Sequence, residues 1–393
     1  MIPGVSRQRR ATVIGAGLLG CAAAWSLARR GWLVTLVEAA PVIGHTRSGS
    51  KGSARIFRVG YPDPLYVEMA RTAQRLWRDL ERASGRTLLR ETGQVTLGDG
   101  DVLEAIAAAM AASGRPPEHL TSEEVARRAP GVLARGPVLF EPESGVLRAD
   151  ACLDAFCATG DVDVRMSRPV SSVEDRGQAG VTVHAGGEAF TADVGVVCAG
   201  PRTLDLLGLG CHVSAPASFP QVAYFAPKED DGEGRPPVFI EWGGDMIYGL
   251  PVPDGPRPAP RLYKVAHHTP GAVATAFDPL DPAPLPDDTA LVELLCHAVE
   301  RLLPGLHPVP VATERCLYDN AADDDFILDR AGSLVFGCGT GGHAFKFGPL
   351  LGEMLADLAE GTEPRFGARF ALARAAPPHA PPPSGPPPPR ERA

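Results

Sequence analysis

The sequence predicts an α/β protein in which a Rossmann-like domain is interleaved with an α+β domain built on an antiparallel sheet. Three observations predict this class. A strand, a glycine-rich turn, a helix and a second strand follow one another between residues 11 and 38. A fully apolar segment at 194–198 ends in Ala-Gly-Pro, as a buried parallel strand that enters a turn does. The length of 393 residues exceeds what one hydrophobic core usually serves, so two joined domains are expected.

The first third of the chain alternates strands and helices. The predicted elements are a strand at 12–14, a helix at 18–29, a strand at 33–37, a helix at 64–83 and a strand at 93–97. In the long helix, Tyr66, Met69 and Ala73 recur at three- and four-residue spacing, and Gly85 is a suitable stop.

The remainder is richer in strands. We predict strands at 162–164, 170–173, 181–184, 194–198 and 333–338, strands and turns over 219–274, and helices at 290–303 and 349–360. From residue 377 onward nine of 17 residues are proline, which is typical of an extended tail.

Composition and charge exclude several classes of protein. Apolar residues make up 44% of the chain and charged residues 22%, which are ordinary values for a folded protein. The 38 basic and 47 acidic side chains give a formal charge of -9, which disfavours a nucleic-acid or anionic-membrane surface. No segment approaches the roughly 20 apolar residues of a membrane span. The eight cysteines are scattered without metal-ligand spacing, so we expect a cytoplasmic protein without a metal site, with a monomer as the default.

The turn near the N-terminus carries the first chemical motif. Gly15, Gly17 and Gly20 directly follow a strand and open a helix, and Glu38 ends the next strand. Such glycines let backbone N–H groups approach a pyrophosphate, while the acid can accept hydrogen bonds from a ribose. The motif alone leaves FAD and NAD open. The N-terminal position of this unit and the glycine-ended strand at 194–198 favour FAD; the alternative for that strand is an ordinary core strand.

Six further segments carry a resemblance to a known family. They are 49–58 (GSKGSARIFR), 248–251 (YGLP), 264–268 (KVAHH), 316–318 (CLY), 325–329 (DFILD) and 341–347 (GGHAFKF). In this order, from residue 11 to about 370, the chain resembles monomeric sarcosine oxidase and N-methyltryptophan oxidase.

The resemblance implies a discontinuous FAD-binding domain of the glutathione-reductase, p-hydroxybenzoate-hydroxylase-like type. The expected division gives residues 1–62, 145–218 and 312–374 to that domain, 63–144 and 219–311 to the substrate domain, and 375–393 to a disordered tail. The residues expected to border the FAD are Gly15, Gly17, Gly20, Glu38, Ser50, Lys51, Arg55, Val170, Gly200, Cys316, Gly341, Gly342, His343 and Lys346. Lys51 departs from the histidine usual in the family, and Ala54 from a polar residue, so the substrate could differ from sarcosine.

The resemblance also implies a thioether between Cys316 and the flavin, since Cys316 matches the family's linking cysteine. The alternative is that Cys316 is a small buried hydrophobic residue, as cysteines commonly are.

Lysine is rare in this chain, with only Lys51, Lys228, Lys264 and Lys346 among its 38 basic residues. Three of the four fall in the segments named above, which indicates that a compact ammonium is needed there. By resemblance, Lys264 faces the flavin and activates oxygen; the alternative is a lysine at a sheet edge with its head in solvent.

A substrate site is implied by the same comparison. Arg58 and Lys346 would bind a carboxylate, Arg55 would lie along the flavin, and the cavity would be lined by Tyr248, His268 and Tyr318. The alternative for Arg55 and Arg58 is a surface loop paired with acids such as Glu68.

The predicted function is a flavin amine oxidase that removes hydride from the carbon next to nitrogen of a carboxylate-bearing secondary or cyclic amine, giving an imine and hydrogen peroxide. Its partners would be this small molecule and oxygen. Alternatives are a cyclic imino-acid oxidase of secondary metabolism, of the nikkomycin-pathway type, and an enzyme that passes electrons to a carrier protein. From another class, an NAD-binding dehydrogenase or a non-catalytic dinucleotide-binding protein stays open.

Overall fold

The computed structural model describes residues 7–45, 47–209, 216–229, 236–243, 246–253, 261–268, 271–273 and 285–374. The predicted tail at 375–393 and Cys211 lie outside the described residues.

A six-stranded sheet forms the centre of the first structural unit. Its strands, in spatial order, are Ile327–Ala331, Leu334–Cys338, Val194–Val197, Arg10–Ile14, Leu33–Val37 and Val162–Arg165. All neighbours run parallel except the first pair, which is an antiparallel hairpin. The predicted Rossmann-like sheet is confirmed.

The helix Leu18–Arg29 connects the first two parallel strands, as predicted. Its residues from 18 to 27 are all buried, because it packs against both the sheet and the helices Ala149–Thr159 and Gly348–Glu360. The helix Gly348–Glu360 approaches so closely that a Cβ on Gly352 would lie 2.5 Å from the carbonyl carbon of Ala22. The two ends of the chain are therefore joined in one core.

The predicted long helix spans Pro64–Ser84. It begins where the Asp63 side chain accepts a hydrogen bond from the N–H of Leu65, and it ends at Gly85 in the left-handed region at φ 65°. Its apolar face buries Trp77, whose indole N–H donates to the backbone carbonyl of Lys346 at 2.8 Å.

An eight-stranded sheet forms the second unit. Its strands, in spatial order, are Ala312–Arg315, Gln221–Phe225, Tyr263–His267, Ile247–Pro251, Val238–Trp242, Gln94–Gly98, Val138–Glu141 and Glu118–Leu120. Neighbours run antiparallel except Val238–Trp242 and Gln94–Gly98, which run parallel. The helix Thr289–Leu302 covers one face of this sheet. The predicted antiparallel sheet is confirmed.

Smaller elements complete the fold. Two further sheets have three strands each. One consists of Val170–Asp175, Val181–Ala185 and Glu188–Ala192, and the other of Ala54–Phe57, Gly145–Arg148 and Leu89–Glu91. A two-stranded sheet pairs Ser218–Phe219 with Ala272–Val273. The other α-helices of the described residues are Gly100–Ala112, Ser122–Arg128, Thr203–Leu207 and Gly367–Phe370.

The division of the chain into two domains stays a prediction. The strand Ala312–Arg315, which the prediction assigns to the FAD-binding domain, pairs with Gln221–Phe225 in the eight-stranded sheet. Among the described residues, no helix is both long and apolar enough to cross a bilayer, and no group of three or more potential ligands could hold a metal ion.

Candidate active site

A long cleft runs along the carboxyl ends of the parallel strands and continues to the face of the large sheet. One end is lined by Gly15, Gly17 and Glu38, and the other by Arg58, Lys264 and Lys346. Except for Gly20, Lys51 and Gly341, every residue predicted to bind cofactor or substrate lines this cleft. Gly20 packs behind the turn, where a Cβ would lie 1.8 Å from the Gly15 carbonyl oxygen, and the Gly341 N–H donates to the Asp319 carbonyl at 2.7 Å.

The glycine turn has the geometry of a dinucleotide cradle. Gly15 has φ 95°, and a Cβ there would lie 2.4 Å from the carbonyl oxygen of Cys198, so only glycine fits beside the strand end. The buried Glu38 carboxylate accepts hydrogen bonds from the N–H groups of Ala16 at 2.7 Å and Ala40 at 2.8 Å. These two bonds hold the turn and the second strand in a fixed relation.

The loop at 47–55 covers the turn from above. The Ser50 hydroxyl accepts a hydrogen bond from the N–H of Leu18 at 2.9 Å, at the start of the first helix. The Arg55 guanidinium donates to the carbonyl oxygens of Ala54, Gly49 and Lys51, two of them at 2.9 and 3.2 Å. Arg55 therefore shapes the loop from inside and pairs with no acid among the described residues.

Three glycine-rich or apolar segments close the cleft on its other sides. Val170 and Gly200, the latter at φ 58°, lie beside the strand end at Cys198. A Cβ on Gly342 would lie 2.1 Å from the ring of Tyr318, so the chain turns tightly against that ring. His343 stacks on Phe326 at 4.8 Å between centroids and faces the Asp324 carbonyl through Nε2 at 3.0 Å. Burial, and secondarily the charge of Lys346, lowers the pKa of His343 well below its ordinary value.

Arg58 and Lys346 face each other across Tyr61. The Arg58 guanidinium lies 4.1 Å from the Tyr61 ring centroid and the Lys346 ammonium 5.7 Å from it. Arg58 is 6% exposed and Lys346 is 5% exposed. Within the described part of the chain, neither forms an ion pair with an acidic side chain. Glu68, the alternative partner considered for Arg58, pairs instead with Arg365. Two buried cations without an anion are costly unless a ligand supplies one.

The surrounding structure holds this pair in place. The backbone after Arg58 is fixed by the buried Glu141 carboxylate, which accepts from the N–H groups of Val59 at 3.2 Å and Gly60 at 2.9 Å. The ammonium of Lys346 donates to the His343 carbonyl at 2.7 Å.

The positive charge of Arg58 shifts the pKa of Lys346, and the charges of both residues shift the pKa of Tyr61. Burial lowers the pKa of Lys346, and the positive charge of Arg58 lowers it further, while Tyr61 opposes this. For Tyr61, burial raises the pKa, but the charges of Arg58 and Lys346 outweigh it and lower the pKa overall. The electrostatic field at this end of the cleft is therefore strongly positive.

Lys264 lies on the inner face of the large sheet and belongs to a network of charges. It is 4% exposed, its ammonium lies 5.8 Å from the Tyr224 ring centroid, and burial lowers its pKa. The Glu314 carboxylate accepts from the Tyr224 hydroxyl at 2.8 Å and forms an ion pair with Lys51 at 3.1 Å. Burial raises the pKa of Glu314, but the charges of Lys51 and Lys264 outweigh it and lower the pKa overall.

Cys316 and three rings line the same cleft as Lys264 and the cation pair. Cys316 is a buried free thiol in the cleft wall. Burial raises the pKa of Tyr248 to about 12 and the pKa of Tyr318 well above its ordinary value. Burial, with the charges of Arg58 and Lys346, lowers the pKa of His268 to about 4, and His268 meets the Tyr248 ring edge-on at 6.1 Å. These rings are neutral near pH 7.

Three further residues at or near the cleft carry no signal in the sequence. Glu314, which does not line the cleft itself, interacts with Lys51, Tyr224 and Lys264, and these are distant in sequence. Trp242 lines the cleft below Arg58, 5.0 Å from its guanidinium, and its buried indole N–H has no acceptor among the described residues. The cleft also contains Asp319, whose carboxyl pKa burial raises to about 7, against the effect of the N–H groups of Gly339 and Thr340.

Three comparisons with known proteins agree with this geometry. The family model described as FAD dependent oxidoreductase (DAO) matches residues 10–358. Peroxisomal sarcosine oxidase of Mus musculus is 33% identical over 387 residues, which cover 93% of this chain and 95% of the mouse protein. Monomeric sarcosine oxidase of Streptomyces avermitilis is 31% identical over 369 residues, 88% of this chain and 92% of that protein.

Solved structures give the same result. The structure of this chain is similar to that of NikD, which is described as an unusual amino acid oxidase essential for nikkomycin biosynthesis. The TM-score is 0.78 at 25% sequence identity, and the match covers 95% of this chain and 100% of NikD. The resemblance to sarcosine oxidases that the sequence predicts is confirmed.

Proposed function

The chain belongs to the family of FAD-dependent oxidoreductases, and on that premise we propose that it is an oxidase of carboxylate-bearing secondary or cyclic amines, such as N-methyl amino acids. The observation that carries this proposal is the buried pair of Arg58 and Lys346, which faces the cleft without an acidic partner in the described structure. Such a pair is complementary to a substrate carboxylate, since arginine offers a planar fork and lysine a point charge.

The cleft fits an FAD along its length. The turn at Gly15 and Gly17 would hold the pyrophosphate through the Gly17 N–H, because the Gly15 N–H already donates to the Val37 carbonyl at 2.8 Å. Each oxygen of Glu38 accepts one backbone N–H and keeps a lone pair with which it would accept from the ribose. Ser50, Arg55, Val170, Gly200, Gly342 and His343 would border the remainder of the cofactor, with Lys51 and Gly341 behind them. When bound, FAD supplies the two-electron chemistry, taking a hydride from the substrate and releasing the electrons to oxygen.

The residues of the substrate end bind and orient the amine. Arg58 and Lys346 anchor its carboxylate, and the walls formed by Tyr248, Tyr318 and Trp242 exclude water. The reacting amine must be neutral to lose hydride from the adjacent carbon, and the positive field of Arg58 and Lys346 favours that form. His268 is already neutral near pH 7, so it adds no further charge.

Lys264 is the candidate for the oxygen half of the reaction. Its ammonium lies on the face of the large sheet beside Tyr224, where it would stabilise the negative charge that develops on dioxygen during its reduction. The balanced reaction converts the amine and O₂ into the imine and H₂O₂. We propose oxygen as the acceptor and a monomeric cytoplasmic enzyme. Replacing Lys264 with methionine should slow reoxidation far more than reduction, and unchanged reactivity with oxygen contradicts its assignment.

Cys316 is proposed to link covalently to the FAD. Its thiol is in the cleft wall on the strand-end segment that also carries Tyr318, as the resemblance to the oxidases requires.

A second candidate is an oxidase of cyclic imino acids that removes more than two electrons and aromatises its substrate. The similarity to NikD over 95% of this chain supports it, whereas the higher identity to the sarcosine oxidases supports the first candidate. The mass of the product separates the two, because aromatisation removes additional hydrogen.

The test is peroxide release from a panel of N-methyl and cyclic amino acids, each paired with its carboxamide. Sarcosine and sarcosinamide form one such pair, in which a neutral carboxamide of similar size replaces the carboxylate. The proposal expects peroxide from at least one acid and a drop of tenfold or more in kcat/KM for its amide. Purified protein that lacks the yellow colour of FAD, or equal turnover of acid and amide, contradicts it.

A further inference from the structure

Two cysteines outside the cleft lie in contact. Cys21 is on the helix Leu18–Arg29 and Cys157 is near the end of the helix Ala149–Thr159, and their sulfurs are 3.6 Å apart. Cys21 is fully buried, whereas Cys157 is partly exposed. A disulfide needs the sulfurs to approach to about 2.05 Å, a movement of about 1.5 Å between two packed helices. One accessible and one enclosed thiol at this distance is the arrangement of an attacking and a resolving cysteine.

The pair is connected to the glycine turn. The Cys21 thiol donates to the Ala16 carbonyl at 3.3 Å, and the Ala16 N–H donates to the Glu38 carboxylate at 2.7 Å. A change at the Cys21 sulfur is therefore one hydrogen bond away from the turn that would hold the pyrophosphate.

We propose that Cys21 and Cys157 are an oxidation site that closes a reversible disulfide in the presence of hydrogen peroxide. Cys157 loses its proton and attacks the peroxide, which leaves a sulfenic acid on Cys157 and releases water. Cys21 then attacks that sulfur, forms the S–S bond and releases a second water. The overall reaction takes two thiols and one H₂O₂ to one disulfide and two H₂O, with both sulfurs oxidised by one electron each.

The electrostatics of the two sulfurs support these roles. The contact with Cys21 lowers the pKa of Cys157 despite burial, while the contact with Cys157, and then burial, raises the pKa of Cys21. The partly exposed sulfur is therefore the more easily ionised one, and thiolate is the form that reacts with peroxide. No neighbouring carboxylate faces Cys157 at hydrogen-bond distance in the described structure, although the charge of Asp154 opposes its ionisation.

Closing the disulfide removes the thiol proton that Cys21 donates to the Ala16 carbonyl. The turn then loses one of its fixed hydrogen bonds, and the two helices become joined covalently beside the cofactor end of the cleft. The inference is independent of the substrate, because the oxidant is supplied as peroxide.

The experiment exposes the purified full-length holoprotein, without amine, to hydrogen peroxide, blocks remaining thiols with N-ethylmaleimide, and maps tryptic peptides by mass. We expect peptide 11–29, which contains Cys21, to be linked to peptide 149–165, with a loss of two hydrogens that dithiothreitol reverses. Peptide 149–165 contains both Cys152 and Cys157, so Cys152→Ser is the matched control that should keep the link, while Cys157→Ser should lose it.

The half-buried Cys296, on the distant helix Thr289–Leu302, is an internal reference in the same sample. We expect the linked peptide to accumulate at least tenfold faster than oxidation of Cys296, whose pKa burial raises. Oxidation of Cys157 to sulfinic or sulfonic acid without a linked peptide, or a link that survives Cys157→Ser, overturns the proposal. Neither outcome depends on turnover, so failure of the amine-oxidase assignment would be seen separately, in the absence of substrate-dependent peroxide.

Discussion

Replacing Glu314 with glutamine should weaken the oxygen half of the reaction at high pH while leaving substrate binding intact. Glu314 is the anion of the network around Lys264, and its charge favours the protonated form of that lysine. The replacement keeps the size of the side chain and its capacity to accept from the Tyr224 hydroxyl, but removes the charge. Lys264 should then lose its proton at lower pH.

The size of the effect follows from the sheet register. Lys264 lies opposite Tyr224 on one side of the strand Gln221–Phe225, and Glu314 lies opposite Val222 on its other side. Two strand spacings of about 4.8 Å and an offset of two residues separate the two positions by about 12 Å, with both side chains on one face. At that separation and an effective dielectric constant of about 20, the Coulomb energy is about 1.4 kcal/mol, which is about tenfold in the protonation equilibrium. Above the pH at which Lys264 titrates, reoxidation should therefore slow by about tenfold.

Stopped-flow measurement of reoxidation by oxygen across a pH series is the assay, with anaerobic reduction by the amine as the internal reference. Lys51→Met is the control variant with the opposite expected effect. The positive charge of Lys51 lowers the pKa of Lys264, so removing that charge should raise the pKa. The alkaline decline of reoxidation should move to lower pH in Glu314→Gln and to higher pH in Lys51→Met. A shift in the same direction for both variants, or equal slowing of reduction and reoxidation, refutes the electrostatic reasoning and leaves Glu314 with a packing role.

Three further predictions concern the cofactor link, the carboxylate site and stability. Cys316→Ala should release the FAD on acid precipitation, with the colour in the supernatant; colour retained in the pellet moves the attachment elsewhere. Arg58→Met should weaken propionate binding by about ten- to hundredfold, because one charge-assisted hydrogen bond of about 1.5–3 kcal/mol is lost. Binding is followed by the visible spectrum of the protein, and binding of propanamide, the uncharged control, should change little. Equal losses of affinity for both ligands would indicate collapse of the cavity. For His268, the folded-state pKa of about 4 lies below the ordinary value of 6.5. Between these two pH values the unfolded chain binds more protons than the folded chain. The free energy of unfolding therefore falls as pH drops from 6.5 to 4, by about 3 kcal/mol at most. The melting temperature of His268→Asn should accordingly decline less between pH 7 and pH 4.5 than that of the unmodified protein, and parallel declines would exclude this histidine as a contributor.

Local patterns were sufficient to predict the elements that begin and end on a chemical signal. The helix Leu18–Arg29 is bounded by glycines and a charged end, and the long helix begins at Pro64 and stops at Gly85, so the sequence predicts their limits to within a residue. The glycine turn and Glu38 were also correctly brought together, because strand, turn, helix and strand form one short continuous unit.

Long-range pairings could not be read from such patterns. The parallel contact between Val238–Trp242 and Gln94–Gly98 joins segments with similar apolar alternation, and nothing in either segment specifies its neighbour. The ion pair of Lys51 with Glu314 joins two ordinary surface residue types across most of the chain. The sequence shows that Lys51 departs from the family's histidine, but its acidic partner is found only in the structure, where the loop at 47–55 folds over the end of the large sheet.

The joining of the two chain ends in one core sets the order of events during synthesis. The turn at Gly15 leaves the ribosome more than three hundred residues before Lys346, an interval of about 15–60 s at ordinary rates of translation. Throughout that time the helix Leu18–Arg29 lacks Gly348–Glu360, the helix that covers it. The nascent chain therefore carries an uncovered apolar helix that a chaperone can bind, and the cofactor can be enclosed only after the segment from Lys346 to Glu360 has been made.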